Sequence, residues 1–365
     1  MPELWIPYGN VETLVTLQAE NLGVVAEGAP EGGSTDLPRA SELVKGATQL
    51  FICDSAPPTL ELLKGIAQAL GESPGLRVHS PAPKRVENAV PELKGRVTTL
   101  PPPLPTDETG EPAYALQLLE TGTKIFIGSA RPDPLFGITD AKVQACLDWV
   151  ARSQSAAAKA IKGMEPQPFQ KTEAYEKIEE LAARMKDAKF LTAIPRGGRL
   201  WTAMEDAPFD AIRNGFTRTQ MPQARGMVIG AGGRGYDDTL SSALRGIWGV
   251  IGGVRKTGSV LLVAECSEGV GSTALEMLVT DRMEGERRRE RYVDGLEEVF
   301  YLNKLKDEYD VLLLSGLPET YARSKLGLTT ARGSAEAVGR VLNKVGRSGK
   351  MNVVPRAPEF LVELG

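Results

Sequence analysis

Short apolar runs alternate with segments of helical spacing in the second half of the chain, and this alternation constrains the fold more than any other feature. Apolar runs at Met227–Gly230 and Tyr309–Leu314 are each followed by a glycine-containing turn, and helical spacing then appears at Asp238–Val250 and Ser334–Val345. Strands joined through helices pair in parallel, because each helix carries the chain back along the sheet. The pattern predicts an α/β fold in which helices flank a largely parallel sheet.

The first half of the chain follows the same plan. Gln49–Cys53 and Lys124–Gly128 have the apolar character of buried strands, and Leu60–Leu70 has helical spacing. A chain of 365 residues is long enough to bury two separate cores. We therefore predict two domains, residues 1–205 and 206–365, each with its own sheet and with a cleft between them. The last strand could return to the first domain.

Composition limits the classes of partner. The net charge is −4 and the one dense basic run, residues 286–291, is interleaved with acids, so we expect a solvated helix face rather than a nucleic-acid surface. No apolar stretch reaches the length of a membrane span. The three cysteines are widely spaced, which favours a reducing, cytoplasmic setting without a disulfide framework or a structural zinc site. Nothing in the sequence specifies an oligomeric state or a metal.

A glycine-rich segment follows the strand at Met227–Gly230. Residues 230–235 fit the pattern G-x-G-x-x-G, which binds the pyrophosphate of dinucleotides when it opens a helix. Asp237 and Asp238, however, stand at the expected start of the helix, where their charges would repel a pyrophosphate. Two interpretations therefore remain open: a ligand-binding loop, and a tight loop with an aspartate that caps the helix.

Several segments, in their order and spacing, resemble the nickel-pincer lactate racemase family. They are Ile6-Pro7-Tyr8-Gly9 with Asn21-Leu22 near the N-terminus, and the stretches 230–240, 260–272 and 313–318 in the second half. The resemblance implies a two-domain protein with its active site in the cleft. It also implies a nickel-pincer nucleotide that is attached to a lysine, histidines that bind nickel and move protons, and hydride transfer from the 2-carbon of a hydroxy acid.

The family's site residues map only partly onto this chain. Asp54 matches the aspartate of the family's Asp-x-Thr-Arg stretch, but Pro57 stands where that stretch has its substrate-binding arginine. Asp133 stands in the place of a catalytic histidine, and Lys142 matches the cofactor lysine if one gap is allowed. His79, the chain's single histidine, lies near the position of the family's other catalytic histidine.

These matches, together with strand ends and helix starts, give a set of candidate site residues. The catalytic candidates are Asp133, Lys142 and His79, and the candidates for binding substrate or cofactor are Asp54, Arg131, Gly232, Gly233, Asp237 and Arg245. We expect Arg131, Asp133 and Lys142 to face Gly232, Gly233 and Arg245 across the cleft. Simpler roles stay open, since Arg245 could pair with an acid of a neighbouring helix and Lys142 could be a solvated helix residue.

The function that these residues favour is that of an isomerase, a racemase or epimerase, acting on a small 2-hydroxy acid or a similar organic anion. A single histidine cannot supply both a nickel ligand and two proton shuttles, although a cysteine thiolate could replace the nickel ligand. We therefore predict that the protein does not use the nickel-pincer nucleotide in the ordinary way. The alternative is a non-catalytic relative that acts as a ligand sensor or a partner-binding protein.

Overall fold

A computed structural model of the protein contains two large sheets flanked by helices, which confirms the predicted α/β class. The structure describes residues 2–26, 28, 37–99, 122–147, 169–283, 293–346 and 348–364. The basic run at residues 286–291 lies outside these residues.

The strands and helices of the described residues are numbered along the chain. The strands are β1 Glu3–Tyr8, β2 Val11–Thr16, β3 Leu22–Val25, β4 Gln49–Ile52, β5 Arg77–Ser80, β6 Val97–Thr99, β7 Lys124–Ser129, β8 Arg131–Asp133, β9 Gly137–Thr139, β10 Ala188–Arg196, β11 Arg199–Glu205, β12 Thr217–Gln220, β13 Ala224–Gly230, β14 Val254–Val263, β15 Asp310–Leu314, β16 Thr329–Thr330, β17 Met351–Val354 and β18 Phe360–Glu363. The α-helices are α1 Leu37–Lys45, α2 Pro57–Gly65, α3 Ala67–Gly71, α4 Pro83–Ala89, α5 at 141–147, α6 Glu173–Arg184, α7 Phe209–Gly215, α8 Leu240–Ile247, α9 Thr273–Val279, α10 Leu296–Glu308 and α11 Ser334–Val345.

The first sheet has the lateral order β11-β10-β7-β4-β5-β6. Every neighbouring pair in it is parallel except the β10–β11 hairpin. Its residues alternate between the two faces, as the two-residue period of a strand requires. Leu50, Ile52 and Ile125 belong to one face, which packs with apolar residues of α1 to α4. Phe51 and Phe126 belong to the other face, which packs with apolar residues of α6.

The second sheet has the lateral order β16-β15-β14-β13-β17-β3 and is parallel throughout. Met227, Ile229 and Leu262 belong to the face that packs with α8, α9 and α10. These residues and the α6 face of the first sheet form one continuous core, so a shared apolar interior joins the two sheets. Val228 and Leu261 belong to the opposite face, which packs with α11 and the β1–β2 hairpin.

The N-terminal segment lies with the second sheet although it begins the chain. β1 and β2 form an antiparallel pair, and Ile6 and Val15 pack on the second sheet. β3 then extends that sheet at its edge, where Leu22 pairs with Met351. At the other end of the chain, β18 pairs with β12, outside both six-stranded sheets. The division into domains 1–205 and 206–365 stays a prediction, and the sheets themselves do not follow the order of the chain. No helix among the described residues combines the length and the apolar character that crossing a membrane requires.

Candidate functional site

The carboxyl ends of strands from both sheets meet in the centre of the molecule. The glycine loop after β13 contacts the turn after β4, since a Cβ atom added at Gly235 would lie 2.8 Å from Cδ of Pro57 and 3.2 Å from the carbonyl oxygen of Ser55. In the second sheet, Ala231 after β13 forms an isolated bridge with Arg356 after β17. Ligands of open α/β sheets collect at carboxyl strand ends. This junction is therefore where we locate the candidate functional site.

Asp54, directly after β4, is fully engaged by its own surroundings. One carboxylate oxygen accepts hydrogen bonds from Ala56 N at 3.0 Å and Thr59 Oγ1 at 2.7 Å. The other accepts from Ser129 N at 2.7 Å, Ser129 Oγ at 2.8 Å and Gln144 Nε2 at 2.9 Å. Burial opposes ionisation, but the charge of Arg131 and these hydrogen bonds outweigh it and lower the pKa of Asp54. Asp54 is therefore an ionised anchor that joins β4, β7 and α5.

Arg131, in β8 just past the end of β7, is a partly buried cation without a hydrogen-bonded partner. Its Nε atom is buried and has no acceptor, and no described residue accepts a hydrogen bond from its guanidinium group. Burial and the nearby charge of Arg245 lower the pKa of Arg131, whereas Asp54 and Asp133 act in the opposite direction. Arg131 thus has acids in electrostatic range, but none of them occupies its hydrogen-bonding edge.

Tyr236 and Glu359 reach the same place from the second sheet. Both are buried, and the Tyr236 hydroxyl and Oε2 of Glu359 have no hydrogen-bond partner. Burial, followed by the charges of Glu359 and Asp54, raises the pKa of Tyr236, although Arg131 and Arg356 oppose this shift. Burial likewise raises the pKa of Glu359 to about 7, against the opposing effects of Arg356 and the Gly198 amide.

Asp133 lies near this cluster, but its carboxylate closes a turn. One oxygen accepts hydrogen bonds from Leu135 N at 2.8 Å and Phe136 N at 2.9 Å, and the other accepts from Thr139 Oγ1 at 2.7 Å. These contacts shape the β8–β9 hairpin, because a carboxylate that accepts from amides two and three residues later forms an Asx turn. Because both carboxylate oxygens already accept hydrogen bonds, Asp133 has a structural role here, although the sequence suggested it as a catalytic residue.

Arg245 has a protein partner, which is the simpler of its two predicted roles. Its Nε and Nη2 atoms donate to Oε1 of Glu298 in α10 at 3.1 and 2.9 Å. Glu298 and Asp133 raise the pKa of Arg245 although burial lowers it. Burial and the charge of Glu298 raise the pKa of neighbouring Glu297 to about 8. A cavity of about 20 Å³, the size of one water molecule, lies among these residues and Trp248 and Tyr301.

The glycine loop is backed by protein atoms, and its cap differs from the prediction. An added Cβ at Gly233 would lie 3.0 Å from Cβ of Pro7, and Gly232 is flanked by Tyr236, so neither glycine opens onto the space that a pyrophosphate needs. Of the two interpretations that the sequence left open, the tight loop fits, but neither Asp237 nor Asp238 caps the helix: Thr239 is the N-cap residue of α8, and its side chain accepts from Ser242 N.

Asp237 is buried in a structural contact with the N-terminal hairpin. Its Oδ2 atom accepts hydrogen bonds from Gly9 N at 2.8 Å and from Glu265 N at 3.2 Å. These bonds tie the β1–β2 turn to the end of β14, since Gly9 lies in that turn and Glu265 follows β14. Burial raises the pKa of Asp237, against the effect of these two amides.

His79 and Lys142 lie apart from the junction and from each other. The His79 ring stacks on Phe51 at 4.9 Å, its Nδ1 atom lies 2.8 Å from Thr98 Oγ1, and burial followed by Arg77 lowers its pKa. Lys142 donates to the carbonyl oxygen of Ala207 at 2.7 Å, beyond β11. His79 and Phe190 occupy one row across β5, β4, β7 and β10. At about 4.8 Å per strand that row spans about 14 Å.

This placement does not fit a nickel-pincer nucleotide. In the resembled family a lysine carries the cofactor and a histidine completes the nickel shell, so the two must meet at one site. Here His79 stacks within an aromatic row near the end of β5, and Lys142 donates to the backbone near the opposite edge of the sheet. Among the described residues, no group of three or more histidine, cysteine, aspartate or glutamate side chains is placed to hold a metal ion.

The structure thus brings together Asp54, Arg131, Asp133 and Arg245, but it does not bring His79, Lys142 or Gly233 to the same place. Tyr236 and Glu359 were not among the residues predicted from the sequence. Tyr236 directly follows the glycine segment, and Glu359 follows the last strand of the second sheet by five residues. The rule that ligands collect after strand ends was the available signal for Glu359.

The comparisons with known proteins concern the fold. The sequence matches no family model and no curated protein. Among solved structures, the lactate racemase apoprotein from Thermoanaerobacterium thermosaccharolyticum is similar with a TM-score of 0.69 and 15% identity, over 99% of this chain and 100% of that chain. A Thermotoga maritima protein has a TM-score of 0.49 and 13% identity, over 92% of this chain and 100% of that chain, which is too low to support an argument. The chain therefore has a lactate-racemase-like fold along nearly its whole length.

Proposed function

We propose that this protein binds a small organic anion of the 2-hydroxy acid class between its two sheets, and that it isomerises this ligand at carbon 2. The observation that carries the proposal is Arg131, whose partly buried guanidinium has no hydrogen-bonded partner among the described residues. A buried charge without a partner costs several kcal/mol, so such a group is retained where a ligand supplies the partner.

The chemistry of the ligand follows from the guanidinium group. Arginine binds a carboxylate through two parallel hydrogen bonds, a geometry that also orients the rest of the ligand. The carboxylate of Asp54 cannot supply this contact, because its five hydrogen bonds with four other residues fix it in place. We propose Arg131 rather than Arg245 as the carboxylate-binding residue, since Arg245 already donates twice to Glu298.

The fold supports the choice of substrate class. The similar solved structure is that of a lactate racemase, and lactate is a 2-hydroxy acid. Isomerisation by proton transfer would move the proton of carbon 2 to a protein base while the electron pair enters the carboxylate, which Arg131 stabilises. Return of a proton to the opposite face then gives the other enantiomer, so neither an oxidant nor a reductant is consumed.

A non-catalytic ligand sensor is the second candidate function. It is favoured by the structural contacts of Asp133 and by the distance of His79 and Lys142 from the junction, which leave two of the predicted catalytic residues away from the ligand. The sensor and the isomerase share the binding step, and only the isomerase then exchanges the proton of carbon 2. The alternative is therefore tested in the same experiment.

The experiment measures binding and turnover of both enantiomers of lactate and related 2-hydroxy acids. Calorimetry with wild type, Arg131→Lys and the surface control Arg218→Lys should show that only Arg131→Lys loses affinity, by about tenfold or more. Proton exchange at carbon 2 in D₂O, followed by NMR, then separates an isomerase from a sensor. Equal affinity in all three proteins, or no binding of any acid by wild type, would refute the proposal.

A further inference from the structure

The carboxylate of Glu359 is buried, and one of its oxygens accepts a hydrogen bond while the other has no hydrogen-bond partner. Glu359 ends the short 3-10 turn Ala357–Glu359 after β17 and is 1% exposed. Its Oε1 atom accepts a hydrogen bond from Gly198 N at 2.7 Å, in the turn between β10 and β11 of the first sheet. Its Oε2 atom is buried and has no partner. The side chain is therefore fixed by the first sheet through one oxygen, while the other oxygen lacks a donor.

The hydroxyl group of Tyr236 provides a second unpartnered atom beside Glu359. Tyr236 is 2% exposed, its hydroxyl has no hydrogen-bond partner, and Glu359 is its first charged neighbour in order of effect. The Tyr236 ring lies over Gly232 beside Pro358, as shown by the contacts that a Cβ at Gly232 would make at 3.2 and 3.4 Å. The ring is thus fixed at the base of the glycine loop, next to the turn that carries Glu359.

Two arginines surround this pair with positive charge. Arg131 and Arg356 both act on Tyr236 electrostatically, and Nη1 of Arg356 donates to the carbonyl oxygen of Gly232 at 3.4 Å. Together with Nε of Arg131, the junction therefore holds three buried, unpartnered polar atoms that come from both sheets. Buried polar atoms without partners are rare, and such a set fits a ligand that carries both a carboxylate and a hydroxyl group.

We propose that Glu359 is a catalytic acid–base residue of this site and that Tyr236 positions the ligand by donating a hydrogen bond to it. This inference rests on the proposed function, because it assigns the proton transfer at carbon 2 of the ligand held by Arg131. Glu359 accepts the proton of carbon 2 as the C–H bond breaks, and the electron pair enters the carboxylate of the ligand. Once the planar intermediate has turned over in the site, Glu359 returns a proton to the opposite face of carbon 2, which gives the other enantiomer and restores the carboxylate of Glu359 for the next cycle.

The ionisation behaviour of Glu359 is consistent with this role. Burial raises the pKa of Glu359 to about 7, with Arg356 and the amides of Gly198 and Gly197 acting in the opposite direction. A carboxyl group that titrates near neutral pH can both accept and donate a proton there, which is the condition for efficient general acid–base catalysis. The pKa of Tyr236 lies well above its usual value, so its hydroxyl stays protonated and is available as a hydrogen-bond donor.

A purely structural role would have Glu359 do no more than hold the Gly198 turn, and the choice of variants separates the two roles. Glu359→Gln keeps an oxygen that accepts from Gly198 N but cannot titrate, and Tyr236→Phe removes only the hydroxyl group. Glu363→Gln, a carboxylate of β18 that binds Arg218 and Gln220 at the surface, is the matched control. Thermal unfolding of each variant checks that the fold is retained.

The experiment measures affinity for lactate, the rate of proton exchange at carbon 2 in D₂O and its pH profile. We expect Glu359→Gln to bind lactate within about threefold of wild type and to lose exchange by about 10²- to 10⁴-fold. Tyr236→Phe should lose about tenfold in affinity and keep the pH profile, and Glu363→Gln should match wild type. The infrared band of a protonated carboxyl group that titrates near pH 7 should be present in wild type and absent from Glu359→Gln, whereas the band of Glu297, whose pKa is about 8, should persist in both proteins.

The possible failures are distinguishable. Exchange that persists in Glu359→Gln, or an infrared titration unchanged by that substitution, overturns the role of Glu359 and leaves the proposed function intact. Binding without exchange in wild type also overturns it and favours the sensor. Failure of wild type to bind any 2-hydroxy acid overturns the proposed function and, with it, the catalytic role of Glu359.

Discussion

Two arginines near the junction differ in whether the protein itself neutralises them. Arg245 donates two hydrogen bonds to Glu298, and its side chain is 12% exposed. Arg131 has no hydrogen-bonded partner among the described residues. Removal of one member of a buried, hydrogen-bonded ion pair leaves an uncompensated charge, whereas Arg131 interacts with Asp54 and Asp133 through space only. The free energy of unfolding should therefore distinguish an arginine that stabilises the fold from one that binds a ligand.

The prediction compares Arg245→Met with Arg131→Met, two substitutions that keep a long apolar side chain. Arg245→Met should lower the free energy of unfolding by about 3–5 kcal/mol, because Glu298 is left buried without its partner. Arg131→Met should cost less, about 0–2 kcal/mol in the absence of ligand, because Asp54 loses a favourable charge but keeps its five hydrogen bonds. Urea unfolding followed by circular dichroism measures both. A larger loss for Arg131→Met than for Arg245→Met would contradict the assignment of these roles.

At the scale of elements, the sequence pattern predicted the features that neighbouring residues along the chain determine, such as helix bounds. The helix predicted at Ser334–Val345 has those bounds, and α6 begins after Thr172, whose side chain accepts from Tyr175 N as a helix cap does. Sheet neighbours depend instead on residues far along the chain. Leu22 was assigned to the first domain because of its position in the sequence, yet it pairs with Met351 in the second sheet.

The same limit explains what the sequence could show of the site. Arg131 was identifiable because a charged residue just past a strand end, beside a proline, is a poor candidate for a core. The proximity of Tyr236 and Glu359 was not identifiable, since it arises only when two strand ends of the second sheet meet a turn of the first. The pairing of Arg245 with Glu298 was left open for the same reason.

The glycine loop also gives a prediction at the scale of elements. Gly235 has φ of +90° and faces Pro57 and Ser55, whereas Gly95 has φ of +74° and no atom within 4 Å of an added Cβ. Gly95→Ala should cost only the strain of a left-handed alanine, about 1–2 kcal/mol. Gly235→Ala should cost roughly 1–3 kcal/mol more, because overpacking separates the two loops. Equal losses in urea unfolding would show that the loops do not press on each other.

At the scale of the whole molecule, the two sheets are joined by charge as well as by their shared core. Arg85, in α4 of the first sheet's helical layer, donates to Ser55 Oγ at 3.1 Å and forms ion pairs with Asp238 and Glu268 of the second half. Asp238 also accepts from Gly235 N at 3.0 Å. The glycine loop, the turn after β4 and α4 are thus held in one network beside the candidate site.

The two ion pairs of Arg85 should differ in strength because their acids differ in exposure. The side chain of Asp238 is 9% exposed and that of Glu268 is 58% exposed, so water and salt screen the second pair far more than the first. In double-mutant cycles with Arg85→Met, the coupling free energy to Asp238→Asn should be about 1–3 kcal/mol. The coupling to Glu268→Gln should be about 0–1 kcal/mol and should vanish in high salt. Asparagine can still accept from Gly235 N, so the first cycle isolates the contact between the halves. Equal couplings at low and high salt for both acids would mean that Arg85 does not bridge the two halves as the structure describes.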